Sequence, residues 1–145
     1  LGDVYKRQPY DGPTNPADVI KVGEQLLDMG CYEISLGDTL GSATPETTQK
    51  LLSALSSAFK TKNLALHFHD TKSSAIENIN ISLDFGISTF DSSIAGLGGC
   101  PYAPGAKGNV STEAVIEFLE SKGLRTGIDR EKIKEASDFA RSLRR

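Results

Sequence analysis

The chain has 145 residues, 38% hydrophobic and 24% charged, a make-up that fits one globular unit or part of one and excludes a disordered segment. A net charge of -3 without a basic stripe gives nucleic acid nothing to bind, and no apolar run is long enough to cross a bilayer. The two cysteines, Cys31 and Cys100, make no disulfide framework and fit a reducing compartment.

At the start, Asp3-Val4-Tyr5-Lys6-Arg7-Gln8 has the look of a translated transposon adapter from DNA library preparation. Residues 1–8 are therefore expected to be non-biological, and residues 9–145 to be part of a domain that begins upstream. A first helix is punctuated by Asn15 as N-cap, Pro16 in the first turn and Gly30 past the end, with Val19, Val22, Leu26 and Met29 at helical spacing. Residues 31–37 read as a strand in which Glu33, Ser35 and Gly37 share a face. A second helix opens at Thr44-Pro45-Glu46, carries Leu51, Leu52, Leu55 and Phe59, and is expected to end at Asn63. Residues 64–69 form the next strand. A third helix follows, with Ile76, Ile79 and Leu83, stopped by Gly86. Residues 88–95 read as a third strand, and a glycine-rich stretch occupies 96–109. Ser111 or Thr112 then caps a helix holding Val115, Ile116 and Leu119. A last helix from Asp129 is expected to bury Ile133, Ala136, Phe139 and Leu143.

Alternating strands and helices demand a parallel sheet, since each helix is the crossover to the next strand. A doubly wound sheet and a (β/α)₈ barrel both satisfy this. Each strand carries polar residues on one face: Glu33 and Ser35, His67 and His69, Asp91 and Ser93. Sheets sandwiched between helices are apolar on both faces, whereas a barrel can aim polar groups into its mouth. The pattern therefore favours a barrel. About three and a half units are visible, which makes the chain roughly half a barrel and so a fragment.

Several side chains can carry chemistry. In His67-Phe68-His69-Asp70 the two imidazoles point to one side of a strand, where they can share a divalent metal or form an ordinary hydrogen-bonded polar pair. They are the only two histidines in the chain. Asp38, closing Ser35-Leu36-Gly37-Asp38-Thr39, can serve in proton transfer or hold a substrate hydroxyl, but the local sequence favours a cap on the following turn. The glycine-rich stretch reads either as a phosphate cradle or as a mobile lid, and it matches neither a P-loop nor G-x-G-x-x-G. Cys100 within it is expected to be partly exposed and reactive, and Cys31 to be buried as a small hydrophobe. Asn109 can offer an amide oxygen to a hard cation or cap the next helix.

Pro9-Tyr10-Asp11-Gly12-Pro13, the run 29–39, His67-Phe68-His69-Asp70-Thr71 and the loop 96–109 together resemble the 3-hydroxy-3-methylglutaryl-CoA lyases, in unbroken order from Pro9 to about residue 140. Related acyl-CoA-condensing synthases show Gly-Glu-Arg where this chain has Gly99-Cys100-Pro101, which favours lyase over synthase. The family's cysteine before Pro9 is replaced by Gln8, inside the suspected scar. The resemblance implies that His67, His69 and Asn109 are metal ligands. It also implies that Cys100 is a catalytic loop cysteine, Asp38 an active-site acid, His67 a proton-transfer participant, and Ser35 and Asp38 substrate contacts. It makes the chain the C-terminal half of a (β/α)₈ TIM barrel plus a C-terminal helix, with the N-terminal half missing. A fourth ligand, an Asp, and a catalytic Arg belong to that absent half, so the fragment by itself is expected to be inactive. The implied reaction is Mg²⁺- or Mn²⁺-dependent cleavage of 3-hydroxy-3-methylglutaryl-CoA, a CoA thioester, to acetyl-CoA and acetoacetate, as in leucine degradation and ketone-body formation. The full-length protein is expected to be a homo-oligomer (a dimer), in the cytoplasm of a bacterium or the mitochondrial matrix of a eukaryote. The alternatives are a condensing synthase, a 4-hydroxy-2-oxoacid aldolase, or a non-catalytic small-molecule binding barrel.

Overall fold

The computed structural model describes residues 14–99 and 108–143. Its elements are α1 (Pro16–Asp28), β1 (Ile34–Asp38), α2 (Pro45–Leu55), β2 (Leu64–Phe68), α3 (Ala75–Asp84), β3 (Thr89–Asp91), α4 (Thr112–Ser121) and α5 (Arg130–Ser142). Single 3₁₀ turns sit at Thr61–Asn63 and Ile94–Gly96. The suspected scar and the Pro9–Pro13 motif lie outside the described residues.

Local chemistry sets the helix boundaries. Asn15 accepts the Ala17 amide at 3.1 Å and Pro16 occupies the first turn, where its missing N–H costs nothing. At the other end Gly30 (φ 93°) turns left-handed, so its amide reaches Leu27 O and that of Cys31 reaches Leu26 O, which uses carbonyls the helix would otherwise leave open. Thr44 and Thr47 cap α2 reciprocally. Ser111 caps α4 by accepting the Ala114 amide, and Asp129 caps α5.

The three strands are parallel in the order β1-β2-β3, as strand–helix alternation requires. Register pairs Ile34 with Leu64, Leu36 with Leu66 and Asp38 with Phe68, so these six share one face. That face belongs to the core, where Ile34, Leu36, Leu64, Leu66 and Phe68 join Val19, Leu51, Leu52, Leu55 and Ile79 from the helices. Leu55 and Ile79 are completely buried, each contributing roughly 1.5–3 kcal/mol by removal from water. The opposite face carries Ser35, Gly37, Ala65, His67, Thr89 and Asp91. A sheet with helices packed on its apolar face and polar groups on the other is a segment of a (β/α)₈ barrel rather than a doubly wound sheet.

Several boundaries and faces differ from the sequence reading. β1 starts at Ile34 rather than 31, because the turn after α1 occupies the preceding residues, and Cys31 is half-buried rather than packed in the core. Val22 and Met29 face solvent, while Gly23 is the buried position under Phe59. α2 ends at Leu55, well before Asn63, as the hydroxyls of Ser56 and Ser57 bond back to the carbonyls of Ser53 and Ala54. Asn63 instead donates to Tyr32 O at 2.8 Å. β3 is only three residues long. Beyond it Ala95 turns left-handed (φ 54°), and Ser93 bonds to the returning segment through Val110 O and the Thr112 amide.

The largest departure is α5. Its packed face is Ser137 and Ala140, not Ala136, Phe139 and Leu143; Ile133 is half-buried, Ala136 is exposed, and Phe139 and Leu143 are 66% and 64% exposed. Small side chains let the helix approach the 3₁₀ turn Ile94–Gly96, and a polar clamp described below fixes that rotation.

Gly23 gives a test in which two effects compete. Alanine in place of glycine within a helix is worth about 1 kcal/mol in propensity. A Cβ here, however, would stand 2.6 Å from Phe59 Cζ and 3.1 Å from Ile34 Cδ1. Overpacking costs about 1–3 kcal/mol, so Gly23→Ala should lower stability to urea, and Gly23→Leu should lower it further. A more stable Gly23→Ala protein would show that this contact is looser than described.

Candidate functional site

The strand ends meet at the close of β2. His67 lies within the strand on its polar face, half-buried, and His69 follows the strand end at 8% exposure. Their ring centroids are 5.3 Å apart, tilted by 54°. The chain returning from the glycine-rich stretch runs beside them. Asp70 N donates to Gly108 O and Val110 N to Phe68 O, both at 3.0 Å, and His69 and Asn109 form an antiparallel bridge. Asn109 therefore stands beside the histidines through backbone pairing, although it is 40 positions beyond His69 in sequence.

The Asn109 amide is held in one orientation. Its Nδ2 donates to Leu97 O at 2.8 Å, while its Oδ1 is buried with no hydrogen-bond partner among the described residues. A buried amide oxygen without a donor costs about 1–3 kcal/mol unless something else satisfies it. A cation would satisfy it; the amide oxygen suits a hard divalent ion such as Mg²⁺ or Mn²⁺, and the two imidazoles add nitrogen donors of a kind divalent metals commonly take. Among the described residues no three His, Cys, Asp or Glu side chains converge as a metal site, so this segment supplies a partial set.

The stems of the glycine-rich stretch are closely packed. A Cβ on Gly108 would fall 1.4 Å from Gly98 O, and one on Gly98 would fall 2.7 Å from Asn109 Nδ2. The amides of Gly96, Leu97 and Asn109 donate to the carbonyls of Ser93, Ile94 and Gly98. These three are spent on the stem itself, which leaves the phosphate-cradle reading without their support. Cys100 and residues 101–107 lie outside the described residues.

Asp38 adopts the capping role. Its Oδ1 accepts the Ser42 amide and its Oδ2 the Ala43 amide, each at 3.0 Å. The same turn is fixed from behind by Ser74 and Asn78, which donate to Ala43 O. Burial pushes the Asp38 carboxyl above the ordinary aspartate range, only partly offset by the two amides and by the charges of His69 and Lys72. Ser35 is tied to the third strand, its hydroxyl donating to Asp91 Oδ2 at 2.9 Å. The same carboxylate oxygen lies 3.6 Å from His67 Nδ1.

One residue escaped the sequence reading. Both oxygens of Glu113, in the first turn of α4, accept the amide of Ala95, at 3.2 and 3.0 Å. The Ser137 hydroxyl donates to Oε1, and Arg141 lies 3.7 Å away. Glu113 thus holds the left-handed residue at the root of the glycine-rich stretch and docks α5 on it. The signal was faint: an acidic residue in a helix first turn is ordinarily read as a dipole partner.

The family model described as HMGL-like matches residues 3–140. The chain is 51% identical over 131 residues to the mitochondrial hydroxymethylglutaryl-CoA lyase of Arabidopsis thaliana, a match that takes in 90% of this chain and 28% of that relative. It superposes on the crystal structure of the HMG-CoA lyase from Brucella melitensis with a TM-score of 0.93 at 48% identity, covering 98% of this chain and 50% of that one. A third relative is the HMG-CoA lyase from Acinetobacter baumannii in complex with coenzyme A and 3-methylmalate, with a TM-score of 0.84 and 34% identity, over 93% of this chain and 44% of that one. The chain spans between about a quarter and a half of these relatives' lengths.

The Glu113 clamp is testable through stability. Burial raises the Glu113 carboxyl, but the Ser137 hydroxyl, the backbone amides of Glu113 and Ala95 and the Arg141 charge together bring it below the ordinary 4.5. A carboxylate depressed in the folded state stabilises above its unfolded value, and that contribution disappears as pH falls below 4.5 through the folded value. Glu113→Gln, which cannot titrate, should therefore show a flatter fall in stability on acidification than the parent. Glu113→Ala should cost about 1.5–3 kcal/mol at neutral pH, the scale of hydrogen bonds to a charged group. Denaturant melts at pH 7 and pH 3.5 that differ equally in parent and Glu113→Gln would remove the clamp.

Proposed function

The chain belongs to the HMGL-like family, and on that premise we propose that the protein carrying it cleaves 3-hydroxy-3-methylglutaryl-CoA to acetyl-CoA and acetoacetate with a divalent cation. The observation that carries the reading is the buried Oδ1 of Asn109, unpartnered among the described residues and on a segment paired with the strand that bears His67 and His69. His67, His69 and Asn109 would hold Mg²⁺ or Mn²⁺. When bound, the ion supplies Lewis acidity that lowers the pKa of the substrate's tertiary hydroxyl.

The remaining work falls to side chains. Loss of the hydroxyl proton lets those electrons form the ketone of acetoacetate, the adjacent C–C bond breaks, and its pair is left as the acetyl-CoA enolate, which takes a proton on carbon. His67 is a participant in proton transfer as well as a ligand. Cys100, in the glycine-rich stretch of sequence that precedes Asn109, handles the proton on the carbanion side. Asp38, a buried acid raised by its surroundings, is suited to hold or pass a proton near His69. Ser35, on the polar face of β1, is the proposed substrate contact of the sheet floor. The substrate is a CoA thioester; the Acinetobacter relative is known in complex with coenzyme A itself.

Two outcomes are expected in a full-length protein carrying this segment. His67→Ala and His69→Ala should each weaken Mn²⁺ binding, read by electron paramagnetic resonance, by more than about 100-fold, because loss of a partner behind a ligand already costs about 10–100-fold. Unchanged affinity in both would remove the metal assignment. Cys100→Ser should lower kcat by about 10²–10⁴-fold, the usual contribution of a general acid–base group, with KM little altered. Near-normal turnover would leave Cys100 without a chemical part.

A further inference from the structure

We propose that Asp91 is the positioning residue of His67: it faces Nδ1–H as an acceptor, fixes the ring's tautomer and orientation, and leaves Nε2 as the nitrogen offered to the cation. The inference rests on the metal reading above and adds a residue to it. β2 and β3 pair His67 with Asp91, so register brings the two side chains to the same face. His67 Nδ1 lies 3.6 Å from Asp91 Oδ2. That is slightly beyond a formed hydrogen bond, and it singles out Nδ1 as the nitrogen facing the carboxylate. A neutral imidazole has one N–H and one lone pair. With Nδ1 as the donor, the lone pair is on Nε2, the form a metal requires. A cation on Nε2 also makes Nδ1–H a stronger donor, which favours shortening the contact.

Asp91 is itself oriented. Ser35 Oγ donates to the same Oδ2 at 2.9 Å, from the strand on the far side of His67. One carboxylate oxygen thus bonds β3 to β1 across the polar face and stands beside the imidazole of β2. The direction of this bond excludes a hydrolytic triad, in which the hydroxyl would donate to the imidazole and not to the carboxylate. The side chains of His67 and Asp91 are 31% and 50% exposed, so water screens much of the charge attraction. The effect of Asp91 is therefore on which nitrogen is free and where it points.

Two measurements on a full-length protein carrying this segment test the assignment. In the metal-free protein with ¹⁵N-labelled histidine and the ring neutral, nitrogen chemical shifts should report the Nδ1–H tautomer for His67. In Asp91→Ala they should report the Nε2–H tautomer. Mn²⁺ affinity by electron paramagnetic resonance should fall about 10–100-fold in Asp91→Ala, as for other partners behind metal-bound histidines, with the thermal midpoint close to the parent's. Asp91→Asn, which keeps an acceptor oxygen and the side-chain shape, should lie between the two and serves if Asp91→Ala folds poorly. Parent-like tautomer and affinity in both variants, alongside loss of binding in His67→Ala, would overturn the role of Asp91 and leave the metal centre standing. Parent-like Mn²⁺ affinity in His67→Ala as well would overturn the metal centre and this proposal with it.

Discussion

The period of two in β2 is the constraint on which the rest depends. Leu64, Leu66 and Phe68 go under the helices, which commits Ala65 and His67 to the other face. A slip of one residue would bury the imidazole in the core and expose three large apolar side chains. The burial of Leu64, Leu66 and Phe68, at roughly 1.5–3 kcal/mol each, therefore fixes where His67 points. The neighbouring strands follow the same parity, so Ser35 and Asp91 reach the same surface without any local instruction.

What alternation cannot do is bring Asn109 to the histidines. That depends on the backbone pairing of 108–112 with Phe68, Asp70 and Ser93, which closes the glycine-rich stretch at its root. Close approach at Gly98 and Gly108 makes the closure possible, since a side chain at either position would collide with the opposite stem. Glu113 then secures the root, holding the left-handed Ala95 by its amide and drawing α5 against the turn. The described residues on either side of the proposed catalytic cysteine are thus fixed, while the turn at Asp38 is held by amides on one side and by Ser74 and Asn78 on the other.

Much of this was legible in the residues. Asn15, Gly30, Thr44, Gly86 and Ser111 act through chemistry that spans a few positions, and the structure uses each of them as a boundary. The polar parity of the strands pointed to a barrel segment, and the histidine pair lies where the alternation puts it. Tertiary partners were harder to read. The period of α5 offers two neighbouring faces that share Ile133, and the choice fell to Ser137 and Ala140 because Glu113 needs the Ser137 hydroxyl and the nearby Arg141. The strand reading ran on to residue 95, yet β3 stops at Asp91, the backbone of Ser93 pairs with Val110 and Thr112, and the Ala95 amide goes to Glu113. Asp38 was read as both cap and acid; the cap is what its hydrogen bonds describe, and its raised carboxyl keeps the acid role within the proposal.

The central claim is that one cation sits between two imidazole nitrogens and an amide oxygen supplied by this segment. Pulsed electron paramagnetic resonance on Mn²⁺ bound to a full-length protein carrying it, with and without ¹⁵N-labelled histidine, counts those nitrogens directly. The account predicts coupling to two histidine nitrogens that changes with the isotope, and an additional weak coupling when asparagine is labelled with ¹³C. A spectrum with no histidine coupling, indistinguishable from an ion held by water and carboxylates alone, would contradict it.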